Sequence, residues 1–148
     1  MTPDDFQKLA AAPHRAAIAA ALTDDVELRT PVTLQPFQGR EVCSTVLSLV
    51  LGQVIEDVEY TARYPGDESF CMVFQGRIGT AECQGVDLVE LGDDGGIRRI
   101  TVTLRPLPVV LAMSRRMARH LEATAVLPPE RPVAPGPARA SRPPRTVG

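Results

Sequence analysis

The 148-residue sequence is poor in aromatic residues and nearly balanced in charge. It has no tryptophan, two tyrosines and four phenylalanines, and its formal net charge is −2. Single-stranded nucleic acids bind to proteins through aromatic platforms beside basic grooves, and anionic surfaces attract strongly basic chains. We therefore expect no nucleic-acid partner.

Long apolar runs and paired cysteines are also missing. No stretch reaches the roughly 18 apolar residues of a membrane-spanning helix, so we expect no membrane span. The start Met1-Thr2-Pro3-Asp4-Asp5 is acidic, whereas secretory signal peptides begin with basic residues. The three cysteines form no C-x-x-C pair, which is typical of reduced thiols. Together these absences predict a cytoplasmic protein.

The composition changes at residue 128. Residues 128–148 contain seven of the 14 prolines and four arginines against a single acid, Glu130. Such a segment has little to bury on folding, so it gains too little to offset its loss of conformational entropy. We predict one domain, residues 1–127, followed by a disordered Pro/Arg-rich tail, residues 128–148.

The spacing of apolar residues predicts the order of helices and strands. Apolar residues recur at helical spacing in three segments, 4–22, 41–54 and 109–123. They alternate with polar residues in four segments, 26–32, 54–64, 70–78 and 97–105, and residues 81–91 are predicted to form a further strand. Pro13 must kink or split the first helix. Strands that cluster after helices, joined by short turns, predict an α+β fold with an antiparallel sheet covered by helices on one side.

Four motifs occur in an order that is typical of one superfamily. The strongest are Gln84-Gly85-Val86-Asp87-Leu88-Val89-Glu90-Leu91-Gly92-Asp93-Asp94-Gly95-Gly96-Ile97 and Ile100-Thr101-Val102-Thr103-Leu104-Arg105-Pro106-Leu107. The first half adds Leu22-Thr23-Asp24-Asp25-Val26-Glu27 and Phe37-Gln38-Gly39-Arg40. Over residues 6–108 the chain thereby resembles the nuclear transport factor 2-like (SnoaL-like) superfamily. The resemblance implies a cone-shaped fold, in which N-terminal helices wrap a curved, mainly antiparallel sheet and a C-terminal helix follows. It also implies a homodimer.

The resemblance further implies a ligand pocket inside the cone. When the Val86-Asp87 strand is aligned with ketosteroid isomerase, Asp87 matches the aspartate that an apolar site keeps protonated in the oxyanion hole. Asp87 is therefore the predicted catalytic residue if the protein is an enzyme. The predicted pocket residues are Thr30, Tyr60, Phe70, Met72, Phe74, Asp87, Val89, Val102 and Leu104.

Two other working groups of the isomerase have no counterpart at the matching positions. Its catalytic base corresponds to Thr30, whose hydroxyl is far too weak a base to remove a carbon-bound proton. Its oxyanion-hole tyrosine corresponds to a position near Phe6, which has no hydroxyl. We therefore predict that the protein does not isomerise steroids.

Several polar residues leave two readings open. Both faces of the 82–91 strand carry apolar residues, so Asp87 lies either in the pocket or on the exposed face. Glu56 and Tyr60, on the apolar side of their strand, form either a second polar pair in the cone or part of a core or dimer contact. Arg105 either holds a carboxylate at the rim or pairs with a neighbouring acid.

No metal site, cofactor motif or nucleophile is readable in the sequence. His14 and His120 have no partner ligands at metal-binding spacing, and no serine lies in a G-x-S-x-G motif. Cys43 has no histidine nearby in sequence and is predicted to be a buried thiol. We expect a binder of a small, mostly apolar molecule, with acid–base chemistry of the isomerase, cyclase or hydrolase type centred on Asp87 as an option. The alternative is a non-catalytic dimeric interaction module.

Overall fold

The computed structural model describes residues 1–124 and residue 126, which form four α-helices and six strands. The helices are α1 (Pro3–Ala11), α2 (Arg15–Ala21), α3 (Arg40–Leu49) and α4 (Leu107–Thr124). The strands are β1 (Leu22–Arg29), β2 (Phe37–Gln38), β3 (Glu56–Pro65), β4 (Ser69–Ile78), β5 (Ala81–Leu91) and β6 (Ile97–Arg105). The tail predicted over 128–148 lies outside the described residues. Within the described part, no helix combines the length and the apolar character that crossing a membrane requires.

The six strands form one open sheet in the order β2-β1-β6-β5-β4-β3. β1 and β6 run parallel, and all other neighbouring strands run antiparallel. This arrangement confirms the predicted α+β class and the mainly antiparallel sheet. The register of β3 against β4 shifts between Glu56 and Glu59 and again between Tyr60 and Ala62. Such bulges bend a strand and re-aim its side chains, here next to the position of Tyr60.

The N-terminal helical segment is split at Pro13, one of the two outcomes that its sequence predicts. Thr2 caps the start of α1: its hydroxyl accepts a hydrogen bond from the Asp5 amide (3.2 Å), and the Asp5 carboxylate accepts one from the Thr2 amide (3.0 Å). This reciprocal cap satisfies two amides that the first turn leaves without partners. After Pro13 the chain starts again as α2.

Three segments differ from the sequence prediction. β1 begins at Leu22 and ends at Arg29, so the strand predicted over 26–32 is wrong at both ends, and Thr30 lies beyond it. β2 is a two-residue strand that no alternation in the sequence announces. The helix predicted over 41–54 is α3, which ends at Leu49. The chain continues as a π-helical segment, Val50–Val54, and the Ile55 amide donates a hydrogen bond to the Val50 carbonyl oxygen (3.0 Å).

The helices and the inner face of the sheet share one hydrophobic core. Alternate residues of the central strands are buried on this face: Phe70, Met72, Phe74, Asp87, Val89, Ile100 and Val102. α4 adds a buried stripe at helical spacing: Val109, Met113, Met117 and Leu121. Asp87 is the one acidic side chain buried among these apolar residues in the described part of the chain. The fold therefore places a single carboxyl group in the centre of the core.

Candidate functional site

A small cavity lies between the inner face of the sheet and the helices that cover it. Its volume is about 20 Å³, which is enough for about one water molecule. The lining residues are Phe6, Leu47, Val50, Leu51, Ile55, Val58, Tyr60, Phe74, Asp87, Ile100 and Val102. Apart from Tyr60 and Asp87, every lining side chain is apolar. The cavity is therefore apolar, except for one carboxyl group and one phenol hydroxyl.

Asp87 lies at the middle of β5, between Met72 of β4 and Val102 of β6. Directly paired residues of antiparallel strands face the same side of a sheet, and all three are buried on the inner face. The exposed fraction of Asp87 is 5%. The structure thus places Asp87 inside the cone, which is one of the two placements that the sequence leaves open.

Asp87 has one hydrogen-bond partner among the described residues, the hydroxyl of Tyr60. Tyr60 lies on β3, two strands away, and its hydroxyl donates to Oδ2 of Asp87 at 3.0 Å. Oδ1 of Asp87 has no partner in this part of the chain. One carboxyl oxygen is therefore fixed by the fold, while the other is available to a ligand.

Burial changes the acidity of both groups. Loss of hydration raises the pKa of Asp87 to about 7, and the hydrogen bond from Tyr60 opposes this rise only in part. Burial also raises the pKa of Tyr60, with a further contribution from the negative charge of Asp87. Near neutral pH, Tyr60 stays protonated and Asp87 exists in both forms. A carboxyl group poised in this way can donate or accept a proton under physiological conditions.

Three aromatic rings line the same cavity as the carboxyl group, those of Phe6, Tyr60 and Phe74. The ring centroids of Tyr60 and Phe6 are 6.2 Å apart, and those of Tyr60 and Phe74 are 6.1 Å apart. The ring planes are inclined at 68° and 74°, so each pair meets edge to face. Phe6, from α1, also packs on Phe70 with centroids 5.9 Å apart. These contacts fix the Tyr60 ring in the orientation that its hydrogen bond to Asp87 requires.

Gly85 is the residue that lets Phe74 lie against β5. The two residues are paired across the strands, and a Cβ atom on Gly85 would overlap the Phe74 ring and lie 2.6 Å from the Thr103 carbonyl oxygen. We expect Gly85→Ala to lower the free energy of unfolding by about 1–3 kcal/mol, because the ring and the backbone cannot both move away. Urea denaturation measures this change.

Gly52→Ala serves as the control for Gly85→Ala. Its added methyl group meets only Pro13, at an ordinary 3.6 Å, so the change should stay below about 1 kcal/mol. Adding Phe74→Leu to Gly85→Ala should recover part of the loss, since the shorter side chain vacates the overlapping volume. Equal effects of the two glycine substitutions would contradict this account.

The structure brings together four of the predicted pocket residues. Tyr60, Phe74, Asp87 and Val102 line the cavity. Five others do not line it: Thr30, Phe70, Met72, Val89 and Leu104. Phe70, Met72 and Val89 are buried in the core farther along the same inner face. Thr30 follows β1, and its hydroxyl bonds that of Thr33 (2.9 Å).

Seven lining residues are missing from the predicted pocket: Phe6, Leu47, Val50, Leu51, Ile55, Val58 and Ile100. Most come from the helical side of the cavity, whereas the prediction followed the strands. The apolar stripe of the 41–54 helix, which includes Leu47 and Leu51, is the sequence signal that points to them. What the sequence does not contain is the register of that stripe against the sheet.

The other polar candidates lie outside the cavity. Glu56 accepts hydrogen bonds from Arg116 (3.1 Å) and from the Gly79 amide (3.0 Å), and these partners hold the pKa of its carboxyl below the ordinary value. Glu56 thereby ties β3 to α4. Arg105 is exposed in an open polar groove, which Asp57, Glu59 and Gln84 also line.

The thiol of Cys43 and possible metal ligands offer no further chemistry at this site. Burial raises the pKa of the Cys43 thiol to about 11, so the thiol stays protonated at neutral pH and is unreactive. Its single S–H group is shared between the carbonyl oxygens of Phe37 (3.4 Å) and Val26 (3.6 Å). Among residues 1–124 and 126, no three histidine, cysteine or acidic side chains are grouped as metal ligands.

Solved structures of other proteins resemble this one closely. No protein-family model and no curated protein matches the sequence. A bacterial protein with a cystatin-like fold from Silicibacter pomeroyi is 28% identical and superposes with a TM-score of 0.80, covering 84% of this chain and 89% of its own. A steroid delta-isomerase from Pseudomonas aeruginosa is also 28% identical, with a TM-score of 0.76, covering 84% of this chain and 91% of its own.

A third similar structure contains a bound small molecule. It is a protein with a ketosteroid isomerase-like fold from Catenulispora acidiphila, in complex with trimethylamine. It is 21% identical, covers 76% of this chain and 93% of its own, and has a TM-score of 0.57. At 21% identity, this similarity shows a shared fold and nothing more.

Proposed function

We propose that this chain, which has the nuclear transport factor 2-like fold, binds a small, mostly apolar molecule in the cavity around Asp87. The observation that carries the proposal is the buried pair of Asp87 and Tyr60 in an otherwise apolar chamber. Ligand sites in proteins are mostly apolar, with a few polar groups that fix orientation and specificity. Similar folds are found in a steroid delta-isomerase and in a protein that holds trimethylamine.

Acid–base catalysis at this site would depend on Asp87. With a pKa of about 7, its carboxyl group can give a proton to a ligand or take one up, while Tyr60 holds it in place. The cavity has no second carboxyl group to act as a separate base. Thr30, at the position of the isomerase base, bonds Thr33 and does not line the cavity. For these reasons we do not extend steroid isomerisation to this chain.

Among the lining residues, Leu51, Val58 and Tyr60 are half-buried, so we propose that a ligand enters the cavity beside them. A volume of about 20 Å³ is far below the roughly 300–1,000 Å³ of typical ligand sites. A ligand of more than a few atoms therefore has to displace a wall, and we propose that this wall is α1. Besides the Phe6 ring, α1 is held to the sheet by Arg63, which bonds Asp4 and Gln7 at the surface.

We expect Asp87→Asn to change ligand retention, because the amide keeps the shape of the carboxyl group but can be neither a proton donor of similar acidity nor an anion. Native mass spectrometry of the protein purified from its own source measures retained mass and subunit number together. The wild type should carry a discrete small mass, and Asp87→Asn should carry less than about one tenth of it. Asp67→Asn, which removes an exposed carboxylate in a turn, should retain as much as the wild type. A ligand-free wild type that also ignores small apolar compounds in solution would overturn the proposal.

The small cavity also favours a second candidate, a dimeric interaction module that does not bind a ligand. Three leucines of the described chain are exposed on the surface: Leu34 (74%), Leu107 (69%) and Leu111 (44%). Leu34 and Leu111 border the same shallow groove. Exposed apolar side chains that lie together are typical of surfaces that bind another protein. A protein that co-purifies with this chain, together with an empty cavity, would favour this candidate.

For the homodimer, the outer face of the sheet is the surface that we propose. Its central positions carry half-buried apolar side chains, Cys71, Val73, Val86 and Leu88. An apolar sheet face loses contact with water when two copies pack together. The subunit number from native mass spectrometry tests this proposal independently of the ligand.

A further inference from the structure

The proposed ligand site contains an acid, Asp87, that forms no ion pair with any cation of residues 1–124 and 126. α1, α3, the π-helical segment, β3, β4 and β6 all contribute side chains to the cavity, and of these only Tyr60 is titratable. None of the ion pairs of the described residues includes Asp87. An ionised carboxylate in an apolar chamber is costly unless an opposite charge lies beside it. A cationic ligand would supply that charge.

The aromatic rings around Asp87 favour the same ligand class. The Tyr60 ring meets the rings of Phe6 and Phe74 at 68° and 74°, with centroids 6.2 and 6.1 Å apart, so the rings that line the cavity are oriented in different directions. The faces of aromatic rings are negative and attract cations within about 6 Å of the centroid. An uncharged ligand would gain only apolar contact from these rings, whereas an ammonium group gains electrostatic attraction as well.

We propose that the ligand carries a protonated amine, which donates a hydrogen bond to Oδ1 of Asp87 between the rings of Phe6, Tyr60 and Phe74. The inference rests on the proposed function and names the chemical class of the ligand. Tyr60 already occupies Oδ2, so the two oxygens have separate donors. The cavity admits only a compact head group, and the apolar part of the ligand would extend toward the half-buried Leu51 and Val58.

Two probes of the same shape test this inference, tert-butylammonium and tert-butanol, which differ in charge. At about pH 8 Asp87 is mostly ionised, and ligand-observed NMR should show the ammonium compound binding at least about tenfold more tightly than the alcohol. Below the pKa of Asp87, the ammonium affinity should fall about tenfold per pH unit, because binding must then displace the carboxyl proton. The alcohol should show no such fall.

Variants separate the two contributions. Asp87→Asn should remove the preference for the ammonium compound, whereas Asp67→Asn, at an exposed turn, should leave it unchanged. Phe74→Leu should reduce the preference without abolishing the pH dependence, since the carboxylate remains. The wild-type pH series requires no variant, so it stands even if Asp87→Asn fails to fold.

The outcomes distinguish this inference from the proposed function. Equal binding of alcohol and ammonium compound, both independent of pH, would overturn the inference and leave a site for neutral apolar ligands. Binding of neither probe, together with a ligand-free protein from its own source, would overturn both. Tight ammonium binding that persists in Asp87→Asn would place the cation elsewhere and overturn the inference as well.

Discussion

The free energy of unfolding should fall by about 3 kcal/mol through Asp87 alone as the pH rises from about 4 to about 7. In the folded protein, burial raises the pKa of this carboxyl to about 7, from its ordinary value of 3.8 in an unfolded chain. Between these two values the folded state binds the extra proton, so raising the pH favours unfolding. The contribution is fully present below the unfolded pKa and is lost once the pH exceeds the folded one.

Comparison with Asp87→Asn isolates this contribution. Glu27 and Glu56, whose pKa values are lowered by hydrogen bonds from Arg99 and Arg116, act in the opposite sense, because they lose stabilisation as the pH falls. The difference between wild type and variant cancels them. Urea denaturation at several pH values should show the wild type losing stability relative to Asp87→Asn up to about pH 7, and no further loss above it. A difference that does not change with pH would mean that Asp87 is hydrated in the folded protein.

Phe6→Ala should lower the free energy of unfolding by about 3–5 kcal/mol, or release α1 from the sheet if that costs less. Phe6 is buried, and it packs on the rings of Tyr60 and Phe70. The substitution removes the apolar contact by which α1 closes the cavity. Leu34→Ala removes an exposed side chain and should change stability by less than about 0.5 kcal/mol.

Hydrogen exchange distinguishes release of α1 from destabilisation of the whole fold in Phe6→Ala. If α1 is released, its amides should exchange fast in Phe6→Ala while those of β4 and β5 stay protected. If the whole fold is weakened, protection should fall in all elements together. A variant as stable as the wild type, with α1 still protected, would show that the helix does not depend on this ring.

The strands could be predicted from the sequence because their two faces differ in polarity. In β3, Asp57, Glu59 and Thr61 face solvent, and the opposite parity is partly buried, as the alternation predicts. Pro13 gave an equally local signal for the split between α1 and α2. β2 has no such signal, because two residues are too few to show an alternation of polar and apolar side chains. The π-helical segment has none either, because it continues the apolar pattern of α3 without a break.

The site was predictable only in part, because its key contacts join distant parts of the chain. Val86 and Leu88, on the outer face of β5, are as apolar as Val89 on the inner face, so the pattern alone does not orient Asp87. The bond from Tyr60 to Asp87 spans 27 residues and crosses β4. It depends on the register of three strands, which the sequence does not specify at the level of single residues.

The parallel pairing of β1 with β6 has a consequence for synthesis on the ribosome. β1 lies between β2 and β6 in the sheet, and Leu28 is paired with Ile100. While the chain is being translated, the first strand has only the two-residue β2 beside it until β6 has emerged. Phe6 likewise cannot form its contacts with Tyr60 and Phe70 until those residues have been synthesised. The N-terminal strand therefore keeps one edge unpaired, and open to chaperones, until most of the domain has been made.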